Sequence, residues 1–451
     1  MDKQLKGEGV KIKEFLPKQH HASINWEELI EEKDVAAVNA PLDAKSLIVG
    51  RVGIMLLSVG TGGWRVLDAM NVISKILNIK CNADIGLTSI NVTCFTEADM
   101  NTQSLSIGNT GINTDKLDRI NAFLREFVNM EGNMTLGEVH RRLEEIMAKK
   151  ANYSPVKAGM AAGIACFGFT FLLGGGIVEM ICAFIGAFFG NWFRRVLIDR
   201  KVALIANVSL PVAFACTVTI LIYIAVMRIW GVAAIREAGY VCAILFVIPG
   251  FPLINGGFDL AKLHLRSGIE RITYAMIIIL TATYIGWIVA YFFNFHPGEL
   301  GSIEFSIPMH IVLRLLCSFL GVFGFSLMYD SPKKMAFAAA CIGMIANTLR
   351  LELVDLAGFP PAFAAFCGAL TAGLLAAVVC RKVHMTRIAL SIPSIVIMVP
   401  GMYMYEAFYK FGTSDVVSGA GWFISACLVV MSIQLGLIAA RIITDERFRR
   451  V

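Results

Sequence analysis

Asn255 and Asp259 stand about one helical turn apart in the stretch LFVIPGFPLINGGFDLAKLHLRSGIER (245–271), which opens as an apolar run. Pro249, Gly250 and Pro252 come just ahead of them, and Gly256-Gly257 lies between them. Proline removes a backbone donor and clashes with the preceding turn. Glycine adds freedom that a helix must give up, so a helix entering here must break or end. In hydrocarbon a break persists only where protein or a water-filled cavity covers the freed backbone groups. A carboxylate at such a break can hold a cation or proton, or bind a substrate ammonium; an amide can bind a substrate carboxylate. Each residue also has a plainer reading: Asp259 pairs with Lys262 or Arg266 and holds the loop, and Asn255 satisfies the broken backbone. The sequence leaves both open.

Three further positions carry potential chemistry. Glu179 lies near the start of the apolar run 177–189, where a carboxylate costs roughly 2.5–3.5 kcal/mol on insertion scales toward the bilayer centre. It is a candidate for proton coupling or substrate contact, with a span-end position that reaches water as the plainer reading. Arg314, near one end of its apolar run, could bind a substrate carboxylate or snorkel to the interface, with Glu304 as a partner. Pro400-Gly401 should break a helix as Pro249-Gly250 does, and Tyr403, Tyr405 and Glu406 follow it. Those tyrosine hydroxyls either line a pathway or form an interfacial aromatic belt.

Composition sets the elements that must position these residues. Of 451 residues 57% are hydrophobic and 16% charged, and the mean hydropathy is +0.67. Many runs approach the roughly 20 apolar residues that span a bilayer, so the fold class is a polytopic α-helical membrane protein. Charge is uneven: residues 1–155 carry 18 basic and 20 acidic residues, leaving 22 basic and 14 acidic for residues 156–451. The front third therefore reads as a soluble domain and the basic excess belongs to membrane loops. Eleven cysteines are scattered singly with no CxxC pair, which indicates neither a metal site nor a disulfide framework. No cofactor or nucleic-acid partner is implied, and no secretory signal opens the polar residues 1–45.

Along the chain, residues 1–45, with His20-His21, read as a mobile polar lead-in, and residues 46–155 as a small α/β domain. Helical spacing covers 47–59 and 64–77 on either side of Gly60-Thr61-Gly62-Gly63. That glycine cluster could cradle an anion at a helix N-terminus, but it lacks a P-loop lysine and reads as a helix–helix turn. Alternation over 81–95 predicts one or two strands, and helices follow over 113–127 and 135–149, the second opened by a capping-box pattern. Ten spans then follow at 156–174, 176–193, 202–226, 239–256 and 272–292, and at 306–329, 335–349, 359–380, 388–406 and 418–440.

With the soluble domain in the cytoplasm, the loops that would face inward hold Arg194-Arg195, Arg200-Lys201, Lys262, Arg266, Arg271, Lys333-Lys334, Arg381-Lys382, Arg387 and the tail Arg447, Arg449-Arg450, while 296–304 and 411–421 carry no Lys or Arg. Arg228 with Arg236 and Arg350 are the fewer exceptions, and both termini are expected inside. Val247-Ile248-Pro249-Gly250 is echoed 151 residues later by Met398-Val399-Pro400-Gly401, each after four spans. Halves of five spans, 156–300 and 301–451, would insert in opposite senses, an inverted repeat with a substrate site between the halves.

The chain resembles the threonine/serine exporter family over roughly residues 47–442. The resemblance rests on Gly60-Thr61 with Trp64-Arg65-Val66, on Leu143-Glu144-Glu145-Ile146, and on Pro249-Gly250, Asn255, Asp259-Leu260, Ser267-Gly268 and Arg271. In the second half it rests on Ile392-Pro393, Val399-Pro400-Gly401 and Tyr405. His264 and Ser394 depart from the family pattern. The resemblance implies a proton-coupled exporter of small hydrophilic amino acids in the plasma (inner) membrane, or a dicarboxylate exporter on the same fold. Its partners would be the small-molecule substrate, protons and membrane lipid; a small soluble cap on a membrane body also leaves room for a homo-oligomer, which no residue marks. Pro249, Gly250, Asn255, Asp259, Arg314, Pro400, Gly401 and Tyr405 are then expected at the substrate site, with Glu179 or Asp259 carrying the proton. A membrane-anchored hydrolase or ligand sensor is the rival of another class, although Ser58, Asp68 and His140 form no nucleophile motif.

Overall fold

A computed structural model describes residues 24–449, with residues 27, 109, 231–237, 296–304 and 384 excepted. The His20-His21 pair, Arg236, Arg450 and the loop 296–304 with Glu304 lie outside the described residues.

The first part of the chain folds as α1 (Leu42–Ser58), α2 (Gly63–Ile76), strands β1 (Lys80–Ile85), β2 (Ser89–Phe95) and β3 (Met100–Ser106), then α3 (Thr114–Asn129) and α4 (Leu136–Ala148). The strands form an antiparallel meander, Ile85 opposite Ile90 and Phe95 opposite Met100. Ile90, Val92 and Cys94 alternate into the core beneath α1. The third strand was not expected: MNTQSLS buries only Leu105, so apolar alternation is missing and its ladder to β2 places it. Asn113 caps α3 by accepting the Lys116 N–H at 2.9 Å, and Thr135 caps α4 by accepting that of Glu138 at 3.3 Å. The polar lead-in is packed from Ile24 on: the Ala37 N–H donates to Met134 O (2.9 Å), the Leu136 N–H to Val35 O (2.9 Å), and Trp26 lies under Arg51. Ser58, Asp68 and His140 do not converge. The Ser58 hydroxyl donates to Met55 O, Asp68 is exposed, and His140 is buried against Arg51. Burial and the Arg51 charge push the imidazole down to about 4.

Two series of helices follow. The first is α5 (Pro155–Leu172), α6 (Ile177–Asp199), α7 (Leu204–Trp230), a bent pair made of α8 (Ala238–Cys242), a 3-10 turn (Leu245–Val247) and α9 (Gly250–Ala261), then α10 (Leu265–Phe292). The second is α11 (Ile307–Met328), α12 (Lys333–Asp355), α13 (Pro361–Val383), the bent pair α14 (Arg387–Val396) and α15 (Gly401–Gly412), then α16 (Val416–Thr444), with α17 (Glu446–Arg449) after it. Among the described residues eight helices are long and apolar enough to span a membrane, and the bent pairs, angled by 63° and 45°, bring the total to as many as ten. The molecule is a polytopic helical membrane protein with a small three-stranded sheet.

Both bends fall where proline and glycine interrupt the pattern. Pro249 and Pro400 adopt nearly the same backbone conformation, φ −84°, ψ 61° and φ −80°, ψ 61°. The left-handed turns after α9 and α15, at Leu263 (φ 60°) and Ser414 (φ 65°), are likewise 151 residues apart. The opening helices of the two series, α5 and α11, pack side by side in opposite senses: Ala161 meets Gly324, and Gly168 meets Cys317.

Candidate functional site

Pro249-Gly250 and Pro400-Gly401 face one another in the middle of the helical body. A Cβ on Gly401 would come within 2.7 Å of Ile248 and 2.8 Å of Leu245, and one on Gly250 within 2.7 Å of Val396. Leu245 and Val396 are themselves 151 residues apart, so the two contacts mirror each other. Close backbone approach is what the glycine in each pair provides.

Beside this contact lies a chamber of about 270 Å3 lined by Pro249, Pro400, Gly401 and Tyr405, and by Thr283 and Gln434 among mostly apolar side chains. Gln434 Nε2 donates to Leu253 O at 2.9 Å, supporting backbone near the first break. Tyr405 is fully buried, edge-on to Tyr240 at 6.1 Å, which places it inside the body rather than in an interfacial belt.

Each break also walls a second cavity. Phe246–Pro249, Phe251 and Pro252 border one of about 220 Å3, closed on its other side by Gly60, Gly111 and Ile112 of the N-terminal domain. Ile397–Pro400, Met402 and Tyr403, the positions 151 residues on, border one of about 170 Å3 against the end of α12, at Arg350 and Asp355. The first has Arg194, Arg195 and Arg271 in its wall and no carboxylate. Arg194 donates to Phe246 O at 3.2 Å, beside the first break, and Arg195 to Met328 O at the C-terminal end of α11. Asn207 Oδ1, Tyr329 Oη and Arg194 Nε there are buried without a hydrogen-bond partner among the described residues. A buried polar group left unpaired is destabilising unless something fills the site. Carboxylate-bearing solutes fit this lining, since arginine presents a fork of donors.

Asn255 and Asp259 lie elsewhere. Both are fully buried under the Gly60–Trp64 turn. Asp259 accepts the N–H groups of Gly63 (3.0 Å) and Trp64 (3.1 Å), the Ser267 hydroxyl (2.7 Å) and Arg271 Nε (3.1 Å). The glycine turn, expected to be only a connection, does cradle an anion at the N-terminus of α2, and that anion is the chain's own carboxylate. Arg271 Nη2 donates to Thr61 O (2.7 Å) and Asn255 Nδ2 to Gly60 O (2.8 Å). The expected salt-bridge partners were wrong: Arg271 pairs with Asp259, while Arg266 pairs with Asp84 and Glu270. Asn255 satisfies a backbone carbonyl, though of the soluble turn and not of the broken helix.

Glu179 and Arg314 border none of the three cavities. Glu179 is buried in the first turn of α6 and accepts the Gly176 N–H at 2.9 Å. Arg314 pairs with Glu352 (2.9 Å) and with Asp355, which reach it from the end of α12; its expected partner Glu304 is outside the described residues. Pro249, Pro400, Gly401 and Tyr405 thus meet at the chamber. Arg194, Arg195 and Arg350 carry no site signal in the sequence, because nothing local marks an arginine that reaches a cavity formed by distant helices.

Two family models cover most of the chain: one described as putative threonine/serine exporter matches residues 47–294, and one described as threonine/serine exporter matches residues 314–443. Two curated proteins, each named probable succinate transporter subunit, are similar over a shorter stretch. That of Klebsiella aerogenes is 26% identical over 153 residues, and that of Escherichia coli K12 27% identical over 152. Each match takes in 34% of this chain and 57% of the relative's length. No solved structure matches the chain significantly. With a family model matching more than half its length, the chain belongs to the threonine/serine exporter family.

Proposed function

We propose that this exporter moves small hydrophilic amino acids, threonine and serine first, by alternating access between its two five-helix halves. The observation that supports alternating access is the chamber between two equivalent helix breaks, each break also walling a cavity of its own; the choice of threonine and serine rests on the family. Opposed halves that rock about such a site would open one cavity and close the other. The antiparallel packing of α5 on α11 and the shared 151-residue spacing support an inverted repeat. The distribution of Lys and Arg supports cytoplasmic termini and soluble domain in the plasma membrane. Efflux would draw on the proton gradient. Glu179, buried at a span end, is the candidate carrier, and Asp259 would act by latching the soluble domain to α9 and α10.

A dicarboxylate exporter is the second reading. Arg194 and Arg195, neither with an ion-pair partner among the described residues, favour it in the cavity beside the N-terminal domain, where Arg271 is already paired with Asp259, as do curated relatives named probable succinate transporter subunit. Efflux from cells preloaded with a threonine dipeptide, with labelled succinate in parallel and a protonophore added to each arm, separates the two. Faster threonine efflux that the protonophore stops is the expected result. Faster succinate efflux alone moves the substrate to the dicarboxylates, and no change in either overturns both readings.

A further inference from the structure

A separate cleft of about 730 Å3 opens where α2 and α3 of the soluble domain meet α13, α14 and α16. Its wall holds five arginines, Arg65, Arg125, Arg381, Arg387 and Arg441, against two acids, Asp68 and Asp445. Among the described residues only Arg441 has an ion-pair partner, Asp445 at 3.0 Å. Arg387 spends one nitrogen on backbone carbonyls, Gly373 O at 3.0 Å and Ala440 O at 3.3 Å, and Arg65 meets the Trp64 ring at 5.9 Å. Arg441 is 6% exposed, yet its Nη2 is buried with no hydrogen-bond partner among the described residues.

Grouping like charges this way is unfavourable without a counter-anion. Burial first, then the Arg441 charge, brings the Arg65 guanidinium down to about 10 against the opposing pull of Asp68 and Asp445. Surface arginines that serve only to orient a span lie outward in water, whereas Arg65 comes from the soluble domain to meet Arg387 and Arg441 from the membrane helices. An anion placed among them relieves the repulsion and gives Arg441 Nη2 its acceptor. The excess of three positive charges in the wall is a poor match for the single carboxylate of a zwitterionic amino acid. Three guanidinium groups arriving from three helices suit a tetrahedral anion whose oxygens point in several directions. None of the three transport cavities shares a lining residue with this cleft.

We infer that the cleft between the soluble domain and the second membrane half is a phosphate-binding site, held by Arg65, Arg387 and Arg441, whose ligand bridges the two parts. The phosphate belongs either to a soluble phosphorylated compound or to a phospholipid headgroup. The inference does not depend on what the protein exports, and its test measures binding. Thermal unfolding of the full-length protein in uncharged detergent is followed against pyrophosphate, with succinate at matched ionic strength as control. A second arm compares nanodiscs of phosphatidylcholine with and without phosphatidylglycerol.

The expected result is a saturable rise in Tm with pyrophosphate but not succinate. Its apparent affinity should fall at least tenfold in Arg65→Gln and Arg387→Gln and hold in Arg119→Gln, an exposed arginine elsewhere. If only phosphatidylglycerol stabilises, and the same variants abolish that effect, the headgroup is the ligand. Where Arg65→Gln does not fold, Arg65→Lys keeps the charge and loses the fork, and should bind more weakly while folding. Equal stabilisation by succinate, an unchanged shift in the Arg65 and Arg387 variants, or no shift in either arm overturns the inference.

Discussion

Asp259 is satisfied by four donors from two parts of the chain: α2 supplies two backbone N–H groups, and α10 a hydroxyl and a guanidinium. The pair it forms with Arg271 is almost wholly buried, and breaking such a pair by removing one partner costs about 3–5 kcal/mol. Asp259→Asn keeps the size but presents an amide group where donors already converge. It should release the Gly60–Trp64 turn and abolish net efflux while the protein still inserts. Amide exchange separates this latch from a proton carrier: Gly63 and Trp64 should lose protection in Asp259→Asn. Lost efflux with protection unchanged would return Asp259 to the coupling role. Asn255→Ala removes one neutral hydrogen bond, worth about 1 kcal/mol, and should weaken the latch without opening it.

At the scale of elements, the two bent spans act as a pair. Alanine at Gly401 would press a methyl into Leu245 and Ile248, and alanine at Gly250 would press one into Val396. Overpacking of this kind costs typically 1–3 kcal/mol, and here it would pry the two breaks apart. Gly250→Ala and Gly401→Ala should each cut efflux at least tenfold, to similar extents, at wild-type membrane levels. Gly421→Ala, whose methyl would meet nothing within 4 Å, should leave efflux unchanged. If only one break is sensitive, the pairing is wrong. The sequence made the breaks legible, because Pro249-Gly250 and Pro400-Gly401 obey local backbone rules, and long apolar runs made the spans legible. It could not show that Asp259 reaches 196 residues back to Gly63, or that Arg194 and Tyr329 border the same cavity. Those relations arise from packing between distant segments. Polar β3 was hidden for the same reason, since its position comes from pairing with β2 rather than from its own pattern.

At the scale of the whole molecule, the N-terminal domain grips both helical series. Leu87, in the β1–β2 turn, donates its N–H to Glu270 at 2.6 Å, Thr114 meets Ser331 at 2.7 Å, and the Thr386 hydroxyl donates to Asp118 at 2.7 Å. A domain bonded to the first turns of α10 and to the turns before α12 and α14 moves with them or restrains them, so rocking of the halves must strain or remake these contacts. The cavity bordered by Asn207 touches the soluble domain, and the one bordered by Leu351 lies at the opposite ends of the helices. Cysteines placed at these two positions, in a chain freed of its native reactive cysteines, therefore report the two faces. A membrane-impermeant thiol reagent should label Asn207→Cys only from the side of the soluble domain and Leu351→Cys only from the other. Saturating substrate should change the two rates in opposite directions, because the state that opens one cavity closes the other. Labelling of both from one side would remove the inversion of the halves, and parallel changes in rate would remove the alternation while leaving the fold as it stands.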